Sequence, residues 1–400
     1  MPGIARSPDS RRKIRLALVF GGQSAEHEVS LSSARSVVGA VDPARYEVIP
    51  IGISASGQWL LGPAAGELLA LAPSSAEWAE QAEHGEEGER LKRDGSHTVT
   101  LEDGTATARQ VALALSPTAR DTRPGDADGS AAPAPIDVVF PLLHGPRGED
   151  GTVQGLFELA GVPYVGAGVA ASAVGMDKVL MKNLFLQAGL PVVPFVAILR
   201  TLWQADPVTV AAQVEATVGY PCFAKPANMG SSIGISRVEG RHELAVALDL
   251  AAGYDRRLLV EQAVGGPREL ECGVLGNDAP EVSVVGEVRV ADDALFYDYD
   301  AKYQPGASGL VIPAAVDPDI AARIRDLARR AFLAIDGAGM ARVDFFLSAD
   351  GQLYVNEINT IPGFTPTSMF PLLWAASGVP YPALIDQLVA LALERHTSRQ

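Results

Sequence analysis

The sequence predicts an α/β protein of two or three domains, the first of which is doubly wound. Its 400 residues are enough for two or three domains, and a hydrophobic content of 48% can supply packed cores. Near the start, an apolar strand at residues 15–20 meets a glycine turn and a helical pattern, which is the opening unit of a doubly wound sheet. Near the end, residues 340–359 alternate in the manner of a β-hairpin.

Helical and strand periodicities follow one another along most of the chain. Helices are predicted at 32–41, 152–160, 176–188, 207–218, 242–252 and 320–335. Further strands are predicted at 46–53, 136–143, 191–199, 220–225, 257–264, 268–275 and 282–290. The pattern decays in an insertion at about 62–135, where we expect a surface helix at 77–94 and a loop of low complexity at 118–135.

Composition excludes several classes of partner. The net charge of −16 argues against a nucleic acid or an anionic membrane as the main partner, and no apolar run approaches the roughly 18 residues of a membrane helix. The apolar run behind the basic N-terminus is too short for a signal peptide. Cys222 and Cys272 lie in apolar stretches typical of buried thiols. We therefore expect a cytoplasmic enzyme without a nucleic-acid or membrane partner.

Two groups of ionisable residues lie at strand ends of the N-terminal part, where sheets of this class bind ligands. Glu26, His27 and Glu28 follow the first strand, and His144 opens a glycine-rich turn after a strand of buried type. Each group fits a ligand site. The simpler alternatives are a solvated capping turn for the first group and a core histidine for His144.

A loop of small residues at 226–234 is predicted to hold phosphate. Lys225 lies on the strand that enters it, and the loop supplies N–H and hydroxyl donors. It is not a Walker A loop, because the lysine precedes the glycines, and a plain hairpin loop is the alternative. The chain has six lysines against 26 arginines, and Lys178, Lys225 and Lys302 all fall in motifs where a compact charge suits a phosphate.

A polar and aromatic loop at 296–306 contains three tyrosines, two aspartates and Lys302. This composition predicts a lid rather than a spacer.

The hairpin is predicted to hold a divalent cation together with a nucleotide. With a two-residue turn, Arg342 and Asp344 share one face with Val355, Glu357 and Asn359, whereas a three-residue turn would reverse that parity. Two carboxylates on the same hairpin face are near enough to repel each other, and a bound cation removes that repulsion. Two carboxylates and an amide oxygen are hard ligands suited to Mg²⁺ held with phosphates. The alternative is a solvated hairpin with a salt bridge.

As a set, the motifs resemble the D-alanine–D-alanine ligases of the ATP-grasp superfamily. The resemblance extends from Arg15 to about Leu393, apart from the insertion. Its motifs are GGQSAEHEVS at 21–30, LHGPRGEDGTVQG at 143–155, MDK at 176–178, KPANMGSSIG at 225–234, FYDYDAKY at 296–303, RVDFF at 342–346 and NEINTIPGFTPTSMFP at 356–371. One such motif is weak evidence, but all of them in this order are highly specific.

The resemblance implies a three-domain ATP-grasp fold. An N-terminal Rossmann-like domain at 1–172, with the insertion at about 62–135, would precede two α+β lobes that clasp ATP. The central lobe would comprise residues 173–263 and the C-terminal lobe residues 264–400.

The resemblance also assigns nine residues to ATP. Lys178 and Lys225 would bind its phosphates, and Glu261 with the strand after it would hold adenine. Glu269 would contact the ribose, although this segment is one residue longer than the usual spacing of the family. The full set is Lys178, Lys225, Ser231, Ser232, Glu261, Gln262, Val264, Glu269 and Lys302.

Further roles follow from the resemblance for the metal and the reacting groups. Asp344, Glu357 and Asn359 would hold two Mg²⁺ ions, with Mn²⁺ as a possible substitute. Arg342 and the Gly363 amide would stabilise the tetrahedral intermediate.

The two amino-acid substrates have their own implied residues. Glu26, with His144 nearby, would bind the first substrate, and Ser368 with the Met369 amide would bind the second. Ser231 and Tyr303 would bond with Glu26 and hold the lid shut.

The implied reaction joins two D-alanine molecules at the expense of ATP, through a D-alanyl phosphate, for peptidoglycan precursors. A homodimer is expected by resemblance. D-Alanine–D-serine and D-alanine–D-lactate ligases are the nearest alternatives, although Tyr303 resembles the dipeptide-forming enzymes. A carboxylate phosphotransferase and a nucleotide-binding regulatory protein without turnover are the more distant ones.

Overall fold

The computed structural model describes residues 12–72, 105–106, 135–230, 232–290 and 308–399. The predicted helix at 77–94, the loop at 118–135 except for its last residue, and the lid at 296–306 lie outside the described residues. So do the site candidates Ser231, Lys302 and Tyr303.

Fourteen described strands form three sheets. The first sheet has the order β4-β3-β2-β1-β5, and β1 is parallel to both of its neighbours, β2 and β5. Its members are β1 (Ile14–Gly21), β2 (Tyr46–Ile53), β3 (Trp59–Leu61), β4 (Thr105–Ala106) and β5 (Val138–Pro141), with helices α1 (His27–Ala40), α2 (Pro63–Ala70) and α3 (Thr152–Ala160). The parallel centre confirms the predicted doubly wound opening, and β3 and β4 add an antiparallel edge.

Helix α1 begins at His27, five residues before the predicted start at 32. Its first turns are rich in serine, which the sequence alone presents as loop-like. In the structure these serines are buried, and the Ser30 hydroxyl accepts from the Gly21 amide at 2.7 Å and donates to the Leu142 carbonyl. The helix is therefore fastened to the ends of two neighbouring strands.

The second sheet is antiparallel, in the order β6-β9-β7-β8. It comprises β6 (Phe195–Leu199), β7 (Cys222–Pro226), β8 (Ser236–Val238) and β9 (Arg257–Gln262), and its helices are α6 (Arg200–Ala205), α7 (Pro207–Thr217) and α8 (Arg241–Tyr254). Two helices, α4 (Val169–Met176) and α5 (Lys178–Gln187), precede it. The predicted helix at 176–188 is thus broken at Asp177, whose carboxylate caps α5, and neither α4 nor α6 was predicted.

The third sheet is also antiparallel, in the order β12-β11-β10-β13-β14. Its strands are β10 (Arg268–Gly276), β11 (Glu281–Val290), β12 (Ser308–Val311), β13 (Gly339–Leu347) and β14 (Leu353–Asn359), with helices α9 (Pro318–Ala334), α10 (Met369–Ala376) and α11 (Tyr381–Ser398). Helix α9 covers one face of this sheet, and α10 lies against the other.

The predicted two-residue turn of the β13–β14 hairpin is wrong. The Ser348 amide donates to the Gln352 carbonyl at 2.9 Å, which leaves a three-residue turn with Gly351 at a φ of +82°. That turn reverses the parity, but a β-bulge at Asn356 then inserts one extra residue and shifts the register. Glu357 therefore shares the face of Asp344, as predicted, and lies directly opposite it. The prediction for Val355 is wrong, because this residue lies opposite Phe345 and points into the core.

Helix α11 returns to the first sheet and shares a hydrophobic core with it. Leu384, Leu388 and Val389 pack in one cluster with Leu18 and Phe140. Among the described residues, no single helix is long and apolar enough to cross a membrane. One pair, Met369–Ala376 with Tyr381–Ser398, reaches that length and composition together, across a bend of 102°.

Candidate active site

One face of the third sheet carries the polar residues that the sequence singled out. Side chains alternate along β10, β13 and β14, and the strand register brings five of these residues to that face: Glu269, Arg342, Asp344, Glu357 and Asn359. Glu271, which the sequence did not single out, lies on the same face. Asp344 pairs directly with Glu357 on one side and with Glu271 on the other. Asn359 pairs with Arg342. The shared face of Arg342, Asp344, Glu357 and Asn359 is therefore confirmed.

Arg342 is held between two carboxylates. Its Nε donates to Asp344 Oδ1 and its Nη2 to Asp344 Oδ2, both at 2.7 Å, in a bidentate pair. Its Nε also lies 3.0 Å from Glu271 Oε2, and the Glu271 side chain is only 5% exposed. The guanidinium is thus fixed in position on the sheet face.

Helix α10 approaches the same face because two glycines leave room for it. A Cβ at Gly273, which pairs with Arg342, would lie 2.7 Å from Trp374 Nε1, and one at Gly286 would lie 2.9 Å from Met369. The helix begins at Met369, directly after Ser368. Ser368 Oγ accepts from the Thr365 amide at 3.1 Å and would contact a Cβ at Gly363 at the same distance. The N-terminus of α10 therefore lies against the face that carries Arg342, and a helix N-terminus favours an anion.

Three charged residues form a buried cluster beside this face, on the second sheet and α5. Glu261 on β9 makes ion pairs with Lys225 on β7 and with Lys182 on α5, the latter at 3.1 Å. Burial opposes the ionisation of Glu261, but the charges of Lys182 and Lys225 outweigh it and lower its pKa to about 2. Gln262 ends β9 with an exposed side chain, and Val264 is half-buried just beyond it.

Lys178 connects the second and third sheets. Its ammonium donates to the Met229 carbonyl at 2.8 Å in the loop after β7, and it lies 3.6 Å from Glu357 Oε2. In the same loop Ser232 has a φ of +59°, a conformation that is strained for a residue with a side chain. One predicted phosphate lysine, Lys178, and one predicted metal ligand, Glu357, are therefore neighbours.

The strand ends of the first sheet place three ionisable groups together. Single ligand atoms of Glu26, His144 and Glu149 all lie within 4.8 Å of one another, and all three side chains are buried. Burial lowers the pKa of His144, while the charge of Glu26 opposes this shift. Burial and then the charge of Glu26 raise the pKa of Glu149 to about 8. The charge of Arg342 also acts on His144 and Glu149, so this group adjoins the face of the third sheet.

Nε2 of His144 is buried and has no hydrogen-bond partner among the described residues. His27, by contrast, uses its Nδ1 on the Gly22 carbonyl at 2.7 Å and thereby closes the turn after β1. Of the ionisable residues after the first strand, Glu26 is the one that joins His144.

Comparison with known protein families shows which family this chain belongs to. Sequence models of the N-terminus and the C-terminus of D-Ala–D-Ala ligases match residues 15–167 and 184–390. The chain belongs to the D-alanine–D-alanine ligase family. The family resemblance and the ATP-grasp fold predicted from the sequence are thereby confirmed.

Curated relatives of this family match the chain over almost its whole length. The D-alanine–D-alanine ligase of Bacillus licheniformis is 49% identical, over 97% of this chain and 98% of its own. That of Geobacillus kaustophilus is 48% identical, over 97% of each. Among solved structures, a D-alanine–D-alanine ligase from Coxiella burnetii has a TM-score of 0.74 at 34% identity, covering 97% of this chain and 96% of its own. The VanG D-Ala:D-Ser ligase from Enterococcus faecalis has a TM-score of 0.75 at 32% identity, covering 95% and 100%.

Sequence reasoning missed three residues that the fold brings to these groups. Lys182 follows Lys178 by four residues, so one helical turn signals its shared face. Glu149 lies within the motif that begins at Leu143, and Glu271 alternates with Glu269 on β10. These spacings are visible in the sequence, but only burial and pairing with distant segments show that the three residues belong to the site.

Proposed function

We propose that the chain joins two D-alanine molecules into D-alanyl-D-alanine, with conversion of ATP to ADP and phosphate, for peptidoglycan synthesis. The observation that carries this proposal is the sheet face on which Arg342 lies beside Asp344, Glu357 and Asn359. Lys178, which we propose binds phosphate, lies 3.6 Å from Glu357 on this face, and the N-terminus of α10 lies against the same face. Relatives with 49% and 48% identity are D-alanine–D-alanine ligases, which favours this activity.

In the first step, a carboxylate oxygen of the first D-alanine attacks the γ-phosphorus of ATP, and ADP leaves. Lys178 and Lys225 bind the phosphates, and their charges offset those of the transferring group. Glu261 to Val264 hold adenine, and Glu269 contacts the ribose. Glu26 binds the substrate ammonium, with His144 beside it. Their burial favours a charged partner, since an ammonium neutralises a buried carboxylate.

In the second step, the amine of the second D-alanine attacks the acyl-phosphate carbonyl and phosphate leaves. Arg342 and the Gly363 amide stabilise the oxyanion that forms. Ser368 and the Met369 amide hold the carboxylate of the second substrate at the N-terminus of α10. Water must be excluded, because it would hydrolyse the acyl phosphate. By resemblance, a lid that carries Lys302 and Tyr303 would exclude it, and Ser231 together with Tyr303 would bond with Glu26.

The donor set on the hairpin fits magnesium, or manganese in its place. Asp344 on β13 lies opposite Glu357 on the adjacent strand β14, and Asn359 lies two residues beyond Glu357 on the same face. The three side chains together offer oxygen ligands for the metal. In the structure the two carboxylates are compensated by Arg342 and Lys178. When bound, the cations neutralise charge on the phosphates during transfer.

We also propose a cytoplasmic homodimer that has neither a nucleic-acid nor a membrane partner. The strongly acidic net charge supports the absence of polyanionic partners. The dimer rests on the family alone, and sedimentation of the purified protein tests it.

Product analysis with D-alanine, D-serine and D-lactate in competition tests the proposed function. We expect D-alanyl-D-alanine, with one ADP and one phosphate per peptide bond. A predominance of mixed D-serine product would favour the D-Ala:D-Ser activity of the enterococcal relative, and depsipeptide would favour the lactate type. Phosphate release without a condensed product would indicate a phosphotransferase. Absence of any turnover would indicate a regulatory protein.

Glu357→Gln tests the metal site within the same assay. The amide removes one negative ligand while the side-chain volume is kept, so we expect at least a hundredfold loss of turnover with a melting temperature close to that of the unaltered chain. Glu281→Gln, an exposed change on β11, is the control. Full activity of Glu357→Gln would remove this residue from the metal site.

A further inference from the structure

Lys182 lies between the second sheet and the hairpin of the third. Its side chain is 1% exposed, its ammonium lies 3.1 Å from Glu261 Oε2, and it donates to the Asn356 carbonyl at 3.2 Å. Asn356 is the residue of the β-bulge. One buried ammonium therefore contacts both the carboxylate proposed to hold adenine and the irregular residue next to Glu357.

The bulge decides which side chains reach the active-site face. Without the extra residue at Asn356, the three-residue turn would pair Asp344 with Asn356, and Glu357 would point towards the core. The extra residue of a β-bulge is left out of the regular hydrogen bonding between the strands. The Lys182 ammonium donates a charged hydrogen bond to the carbonyl of this residue. Lys182 thereby stabilises the local geometry that presents Glu357.

Lys182 also orders the adenine side. Glu261 makes one ion pair with Lys182 and another with Lys225. Removal of Lys182 would leave Lys225 as the one described cation that pairs with Glu261. Helix α5 carries Lys178 one turn earlier, with its ammonium 3.6 Å from Glu357. The helix thus presents two ammonium groups, one towards the phosphate side and one towards the junction of the sheets.

We propose that Lys182 is a positioning residue that fixes the nucleotide-binding Glu261 and the metal-site hairpin relative to each other. This inference rests on the proposed function, because it assigns Lys182 to the ATP and magnesium site of that reaction. Lys182 acts through Glu261 and Asn356 and need not touch the substrate.

Lys182→Met distinguishes positioning from packing. Methionine keeps a long unbranched stem, and Glu261 keeps its ion pair with Lys225, so the variant does not leave a buried carboxylate without a cation. We expect at least a tenfold increase in KM for ATP, at least a tenfold fall in kcat, and a several-fold rise in the Mg²⁺ concentration for half-maximal activity.

Arg395→Met is the matched control. Arg395 is also a buried cation that donates to backbone carbonyls, those of Tyr164 and Gly166, but it lies in α11 and contacts none of the proposed site residues in the described part of the chain. Its melting temperature should fall while KM for ATP and the Mg²⁺ requirement stay within twofold. Kinetic constants of folded Lys182→Met within twofold of those of the unaltered chain would overturn the inference.

A double variant decides the matter if Lys182→Met does not fold. Glu261→Gln with Lys182→Met removes both charges of one pair, and Glu261→Gln alone is its reference. We expect the double variant to have a kcat at least fivefold lower than the reference, because the bulge loses its donor. Equal kcat values would overturn the inference. If the unaltered chain makes no dipeptide, the proposed function fails instead.

Discussion

At the scale of single residues, the site depends on charges that neighbours hold in place. Arg342 makes a bidentate pair with Asp344, whose oxygens we propose as metal ligands. A metal ion held by Asp344 would compete with the guanidinium for the same two oxygens. Glu271, buried and 3.0 Å from Arg342 Nε, then remains to hold it. We therefore assign the orientation of Arg342 in the second step to Glu271.

Glu271→Gln tests this assignment. The amide keeps the size of the side chain but weakens the charge-assisted contact to Arg342, so we expect about a tenfold fall in kcat with little change in KM for ATP. Steady-state kinetics of dipeptide formation measures the effect. An unchanged kcat would show that Asp344 alone orients the arginine.

The protonation of Glu149 gives a second test at this scale. The folded chain keeps its proton up to about pH 8, whereas an unfolded chain releases it near the ordinary value of 4.5. Between these values the folded state binds more protons, so rising pH lowers the free energy of unfolding by about 1.4 kcal/mol per pH unit from this group.

Urea unfolding of the unaltered chain and of Glu149→Gln, from pH 5 to pH 8, measures this contribution. The variant has no such group, so its stability relative to the unaltered chain should rise steadily with pH. A difference that does not depend on pH would contradict the raised pKa of Glu149.

At the scale of elements, α5 and the β13–β14 hairpin present the side chains that we propose bind phosphate and metal. The helix begins at Lys178 because the Asp177 carboxylate accepts from the Val179 and Leu180 amides at 3.1 and 3.0 Å. Asp177 also makes an ion pair with Arg257 on β9, so one residue caps the helix and attaches it to the second sheet. The start of α5, and with it Lys178, is therefore fixed by a contact with the second sheet.

Asp177→Ala should cost about 1–2 kcal/mol, since the cap is lost and Arg257 loses a buried partner. Asp177→Asn keeps the capping oxygen and should lose less. Chemical unfolding of both variants compares them, and KM for ATP should rise more for alanine than for asparagine. Equal stabilities of the two variants would show that the cap contributes little.

At the scale of the molecule, the chain closes on itself. Helix α11 packs its apolar face on the first sheet, and Phe364, in the loop between hairpin and α10, lies 5.2 Å from Phe140 of β5 between ring centroids. The Tyr381 hydroxyl donates to the Phe364 carbonyl at 2.7 Å. The last part of the sequence thereby keeps the Gly363 loop next to the strand that leads to His144.

Leu388→Ala tests this closure. Leu388 is fully buried in the shared core, so truncation should lower the free energy of unfolding by about 2–5 kcal/mol. Because the same core supports the loop at Gly363, KM for D-alanine should rise as well. Exposed Leu159 on α3 is the control position, and its change to alanine should alter neither quantity. A Leu388→Ala protein with unaltered stability would contradict the shared core.

Local chemistry was enough to predict much of this protein. Periodicity located most helices and strands, and the motif order predicted the family, because residue type and covalent spacing are visible without a fold. The same information placed Arg342, Asp344, Glu357 and Asn359 on one hairpin face, although by an argument from a turn that the chain does not use.

Long-range packing decided the remainder. The bulge at Asn356 corrects the parity of the hairpin, and its register depends on the sheet around it rather than on the turn residues. Lys182, Glu271 and Glu149 acquire their places from burial and from pairing with segments distant in the chain. The effect of a buried charge depends on the groups that surround it. These groups come from segments of three sheets that are distant in the sequence, and folding brings them together.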